Sequence, residues 1–227
     1  MRSQSSSCVC AHAVLLGAAL FLGAASQSAH DSLPQLDVQC WSPSYPQRVL
    51  CTWKVQPEPD LPTSYTATYR KGLLGVQIPC EVNPERPRSC VMENLEMFSV
   101  EPYFVNVTAT NALGSTTRLL PFILEKIVKP DPPVDIKVTL RSSRRLTVEW
   151  APPPSWTDPT LFQLKYQVQY SDGGVRAPRT LGPFESTKVV LRGLRPHSQY
   201  SIRVLAQDIL DHGEPSDWSP AITAFTT

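Results

Sequence analysis

Val49-Leu50-Cys51-Thr52-Trp53-Lys54-Val55 places Val49, Cys51, Trp53 and Val55 at every second position. Successive side chains of a strand point to opposite faces, so a strand starting near Val49 turns these four residues to one side and buries Cys51 and Trp53 against a facing sheet. Tyr103, Val105, Val107 and Ala109 repeat the alternation further along the chain and leave Phe104, Asn106 and Thr108 outward. The Asn106-Val107-Thr108 sequon therefore falls on the solvent face, where a glycan on Asn106 stays clear of the core.

The same pattern returns in the second half. Leu146, Val148 and Trp150 alternate before Pro152-Pro153-Pro154, and Tyr166, Val168 and Tyr170 alternate before the Asp172-Gly173 turn. Val189 and Leu191 precede Gly193. Short strands punctuated by turn residues, with no convincing amphipathic helix, argue two seven-stranded β-sandwiches in tandem. Leu194, Pro196 and Tyr200 have the spacing of a tyrosine corner, in which the phenol bonds back to nearby backbone.

Between the halves, Lys129-Pro130-Asp131-Pro132-Pro133 carries three prolines. Proline lacks a backbone donor and biases the preceding residue towards extended geometry, so this segment is read as a stiff elbow outside any sheet. The expected plan is an export signal over 1–28, a first domain over 29–128, the elbow over 129–133 and a second domain over 134–227.

Composition agrees with this plan. The chain has 227 residues, 41% hydrophobic, enough for two cores, and 23 prolines against 10 glycines suit strands joined by stiff loops. Lys and Arg number 21 against 20 Asp and Glu, so no whole-protein field points to nucleic acid or anionic lipid.

The N-terminus reads as an export signal. Arg2 gives a positive start, Ala13 to Ala25 form an apolar run, and Ala24, Ala25 and Ser26 suit cleavage near Ser26 to Ala29. His12 interrupts the apolar stretch, which is shorter than the roughly 20 residues of a spanning helix. Removal of the signal takes Cys8 and Cys10 with it and leaves Cys40, Cys51, Cys80 and Cys90, which allow three connectivities. The two short spacings favour Cys40-Cys51 and Cys80-Cys90, each worth about 2–3 kcal/mol through restriction of the unfolded chain. Neither pair has zinc-knuckle spacing, and disulfides agree with an exported protein.

Enzymatic readings find little support. His12 leaves with the signal, His30 lies near the new N-terminus and His197 falls in the tyrosine corner. His212 stands beside Asp211 with Ser216 nearby, but no Gly-x-Ser-x-Gly elbow, metal-binding histidine pair or phosphate loop accompanies it, and an exposed loop histidine is the better reading. No cofactor is implied.

Pro215-Ser216-Asp217-Trp218-Ser219, with the paired cysteines, Cys51-Thr52-Trp53 and the proline elbow, resembles the cytokine-receptor homology module of class I cytokine receptors across nearly the whole mature chain. Ala67-Thr68-Tyr69-Arg70, Ile127-Val128-Lys129-Pro130, Leu164-Lys165-Tyr166 and Ala206-Gln207-Asp208 carry the likeness further, within the interleukin-6 and interleukin-12 group. The resemblance implies an all-β pair of fibronectin type III-like domains with Trp53, Trp150 and Tyr200 as core landmarks. Pro215 stands where the signature's first tryptophan belongs, so a shortened ladder of Arg203 on Trp218 is expected, flanked by Ser216 and Ser219 and serving stability.

The resemblance also implies where a four-helix-bundle cytokine docks: at the elbow, on Met97-Phe98-Ser99, on Trp156 to Leu161 and on Ile209 to Gly213. Phe98 is the expected aromatic anchor, the alternative being a cap on its own core; Asp211, by itself a turn former, is the expected carboxylate for a cytokine arginine. Thr160, Leu210, His212 and Trp156 are further contacts, with packing of Trp156 on Pro153 and Pro154 as the alternative for that residue. The signature is followed by eight residues and no membrane span. The expected function is thus that of a secreted receptor-like subunit joined to a cytokine of the interleukin-27 alpha type, or of the interleukin-12 alpha type. The pair would signal through transmembrane receptors of the interleukin-6 family. A soluble decoy or carrier and a fibronectin-type adhesion module are the alternatives.

Overall fold

A computed structural model describes residues 35–173 and 177–227. The expected signal segment, with Cys8, Cys10 and His12, and also His30, lies outside the described residues.

The first half contains β1 (Gln35–Ser44), β2 (Arg48–Gln56), β3 (Ser64–Lys71), β4 (Ile78–Pro79), β5 (Glu81–Asn83), β6 (Arg86–Glu93), β7 (Tyr103–Asn111) and β8 (Gly114–Phe122). They form two sheets, in orders β1-β2-β6-β5 and β4-β3-β7-β8. The second half contains β9 (Val134–Ser142), β10 (Arg145–Ala151), β11 (Leu164–Ser171), β12 (Arg179–Phe184), β13 (Lys188–Arg192), β14 (Gln199–Asp208) and β15 (Ile222–Phe225). Its sheets run β13-β10-β9 and β12-β11-β14-β15, with antiparallel pairing throughout.

The second sandwich has seven strands and the first has eight. The extra element arises at Cys80, where the chain leaves one sheet for the other. β4 pairs with β3, β5 pairs with β6, and Cys80 is bonded to Cys90 of β6 at an S–S distance of 2.09 Å. Cys40 and Cys51 are joined between β1 and β2, where they face each other directly in the register.

Alternation fills both cores. Val49, Cys51, Trp53 and Val55 of β2 are buried, as are Tyr103, Val105, Val107 and Ala109 of β7. Leu146, Val148 and Trp150 of β10 and Tyr166, Val168 and Tyr170 of β11 do the same in the second sandwich, with Trp150 edge-on to Tyr166 at 5.5 Å between ring centres. Asn106 lies on the outer face of β7 but is half-buried in the middle of its sheet, with its Oδ1 enclosed and unpaired, while Thr108 and Thr117 share a hydroxyl bond of 2.9 Å.

The two sandwiches meet through backbone. The Ser42 N–H donates to Ile127 O at 2.7 Å, and the Lys129 N–H donates to Ser42 O at 2.9 Å. From the second domain, the Glu214 N–H donates to Val128 O at 2.8 Å. Gly213 makes that approach possible: it has φ +63°, and a Cβ there would fall 1.9 Å from Val128 O. Asp217 and Lys129 add an ion pair at 3.1 Å.

Candidate functional site

The loop between β6 and β7 is the longer of two tyrosine corners. In the second domain the Arg195 N–H donates to Tyr200 Oη at 2.8 Å, and Leu194 is buried beneath it. In the first, the Glu96 N–H donates to Tyr103 Oη at 2.9 Å above buried Leu95. The first corner escapes a sequence reading because Leu95 and Tyr103 are two residues further apart than Leu194 and Tyr200. The extra length pushes Met97 and Phe98 outward.

Phe98 is 68% exposed and has φ +52°, an unfavourable region for a bulky side chain. A buried carboxylate holds it there. Glu125, on a single 3-10 turn over Leu124–Lys126, is 8% exposed, and its Oε1 accepts from the Phe98 N–H at 2.7 Å and from Tyr45 Oη at 3.0 Å. Burial first, and the Glu125 carboxylate second, push the Tyr45 phenol well above the usual tyrosine range, so Tyr45 remains a donor.

Tyr45 reaches across the elbow. Its ring meets Phe162 edge-on at 5.3 Å and His212 at 6.1 Å, while Phe98 stands 6.3 Å from His212 on the other side. His212 is thus half-buried between two aromatic rings, a correction to its reading as an exposed loop histidine. The reason is Asp208, a buried carboxylate at the end of β14. Its Oδ2 accepts from the backbone N–H groups of Leu210 and His212 at 3.0 and 3.1 Å and stands 3.2 Å from His212 Nδ1.

One further expectation is corrected. Trp156 is buried at 3% exposure and its indole N–H donates to Phe162 O at 2.6 Å, so it braces its own loop and presents no contact surface. Asp211 stands at φ +63° with its Oδ1 2.7 Å from Lys165 Nζ and 2.8 Å from Gln207 Nε2, and its side chain stays 65% exposed. Thr160 is exposed and donates to Asp158 Oδ1 at 2.8 Å. The Leu161 N–H and the Thr160 hydroxyl hold the Asp158 carboxyl below its usual range. Leu210 and Leu161 are exposed at 69% and 71%.

The elbow face therefore brings together Phe98 and His212, with Leu210 exposed two residues before His212 and Glu125, Tyr45 and Phe162 beneath. Glu125 had no sequence signal, since a lone acid after a strand reads as solvated. Its burial comes from the packing of the 3-10 turn under Tyr45.

The signature segment works as a substitute strand. The Ser216 N–H donates to Ala206 O at 2.7 Å and the Ser219 N–H to Val204 O at 2.8 Å. The side chains complete the ladder: Ser216 Oγ accepts from the Ala206 N–H and Ser219 Oγ from the Val204 N–H, at 2.9 and 3.0 Å. The Arg203 guanidinium lies 4.9 Å from the Trp218 ring centre and its Nε donates to Gln169 Oε1.

Among the described residues no group of histidine, cysteine or acidic side chains could hold a metal ion, and no helix is long and apolar enough to cross a membrane.

Residues 36–122 match the family described as the IL27B N-terminal FN3 domain, and residues 131–222 match the fibronectin type III domain. The chain is 41% identical to human interleukin-27 subunit beta over 191 residues, covering 82% of this chain and 83% of that protein. It is 40% identical to the mouse protein of that name, covering 86% of each. It is also 36% identical to the human interleukin-11 receptor subunit alpha, over 81% of this chain but 46% of the receptor. The chain belongs to the interleukin-27 subunit beta family: it is a cytokine-receptor-type subunit built of two fibronectin type III domains, and it is not an enzyme.

Proposed function

We propose that this family member is the receptor-like half of a secreted heterodimeric cytokine. It captures a four-helix-bundle subunit of the interleukin-27 alpha type on the elbow face, and the pair engages transmembrane receptors of the interleukin-6 family on immune cells. The observation that carries this reading is the exposed Phe98, held at φ +52° by the buried Glu125 and set 6.3 Å from His212 of the second domain. Only a surface built from both sandwiches brings these groups together, and a rigid aromatic at its centre is the anchor that a helix face requires. Two disulfides support the secretory route, where the partner would be met during export.

Co-expression in secreting cells tests it. Tagged chain should carry the interleukin-27 alpha subunit of the same species into the medium, and Phe98→Ala should release it without loss of the folded chain. A chain that leaves the cell alone, and that fails to bind the purified alpha subunit, overturns the reading. Capture of the interleukin-12 alpha subunit in its place would reassign the partner.

A further inference from the structure

The far end of the second domain, away from the elbow, collects arginines. β10 and β13 pair antiparallel with Arg145 directly opposite Arg192, and Arg145 faces Ser142 of β9 on its other side. Arg141 and Arg144 flank the β9–β10 turn, and Arg141, Arg144, Arg145 and Arg192 are all exposed. At the other end of the same ladder the charges are matched: Glu149 stands opposite Lys188 and Lys137 and forms an ion pair with Lys188. Like charges placed directly across a strand pair destabilise it, so the Arg145–Arg192 step is a cost that the sheet itself does not offset.

Among the described residues no carboxylate pairs with the cluster, and none of Arg141, Arg144, Arg145 and Arg192 has an ion pair. The nearby Arg195 uses Asp172, 3.4 Å away, and Arg144 Nε donates to Leu194 O at 3.2 Å. With 21 basic against 20 acidic residues in the chain, this concentration of guanidinium is local.

We infer that this end of the second domain is a binding surface for a sulfated glycosaminoglycan. Planar guanidinium forks match tetrahedral oxyanions, and three adjacent strands about 4.8 Å apart spread them across the width of a linear polyanion. The disulfides choose among polyanions. They place the protein on the oxidising side of the cell, away from nucleic acid and from the anionic cytoplasmic leaflet. The seven residues of β10, at about 3.3 Å each, separate the cluster from the elbow by about 20 Å, so both surfaces can be occupied together.

The test uses the full secreted chain and immobilised heparan sulfate at physiological salt. The expected result is salt-sensitive binding that falls at least tenfold in Arg145→Ser/Arg192→Ser, with melting temperature unchanged or raised and partner capture intact. A control, Lys54→Ser/Lys126→Ser, removes the same charge elsewhere and should keep the binding. Equal loss in both variants, undiminished binding to desulfated polysaccharide, or no binding by the parent chain each overturns the proposal. Preference for phosphatidylserine vesicles over heparan sulfate overturns it in favour of a membrane surface.

Discussion

Glu125→Ala should separate the fold of the elbow from the readiness of its anchor. The carboxylate is 8% exposed and one oxygen serves two donors, Tyr45 Oη and the Phe98 N–H. Its loss orphans the hydroxyl of Tyr45, a residue only 3% exposed, at a cost of about 1–3 kcal/mol. The Phe98 N–H is nearer water and adds about 1 kcal/mol, so stability should fall by about 2–4 kcal/mol. Affinity should fall for a separate reason. Without the bond nothing holds Phe98 at φ +52°, and the side chain relaxes towards ordinary extended geometry. Restoring the left-handed conformation on binding costs about 1–2 kcal/mol, which is a roughly 5- to 30-fold rise in Kd. Glu125→Gln keeps an acceptor and should recover about half of both effects, since charge assistance is about half of such a bond. Urea titration gives the first quantity, and calorimetric titration with the interleukin-27 alpha subunit, below the denaturation threshold, gives the second. A stability loss with unchanged affinity would show that Glu125 supports the domain without positioning Phe98. If neither quantity changes, the geometry argued for the elbow is wrong.

Phe98→Ala should leave the melting curve unchanged, because the side chain is 68% exposed, and should weaken partner binding by about 2 kcal/mol or more; unfolding would return Phe98 to a core role. Trp218→Ala removes the ring stacked on Arg203 and should cost about 2 kcal/mol of stability, read by thermal unfolding, with a smaller change in affinity per folded molecule. Asp211→Asn should alter partner affinity less than threefold in calorimetry, because Lys165 and Gln207 already hold that carboxylate; a larger loss would restore Asp211 as a contact. Burial pushes the Tyr166 phenol up to about 12. A raised folded value gives stability that is fully present below the unfolded tyrosine pKa of about 10 and declines as pH rises towards the folded value. Chemical denaturation across that window should show the decline, and Tyr166→Phe should flatten it.

Much of the architecture was decided by local pattern. Alternation at Val49 to Val55 and at Leu146 to Trp150 fixes which face of each strand must leave water, because the side-chain period of a strand is two and a slip of one residue would expose every core residue. Three prolines from Pro130 to Pro133 fall between β8 and β9, where missing donors and restricted φ keep the chain out of both sheets. The eighth strand of the first sandwich was not legible, since a two-residue pairing at Ile78–Pro79 depends on where Cys80 sends the chain and carries no periodicity of its own.

At the elbow the division is sharper. The sequence by itself determined that Phe98 lies outside a strand and that the segments 97–99 and 209–213 are loops. Whether a loop residue faces solvent or its own core depends on partners far along the chain. Trp156 is the local exception: it turns inward within its own loop, its N–H donating to the Phe162 carbonyl six residues on. Asp211, a turn former, pairs with Lys165 of a neighbouring strand while its side chain stays exposed. Glu125 is buried because a 3-10 turn seats it beneath Tyr45 from the start of the chain, eighty residues away. Periodicity records which face of an element is apolar; burial, pairing and the pose of a loop side chain are set by contacts between distant segments, and only the folded chain brings those together.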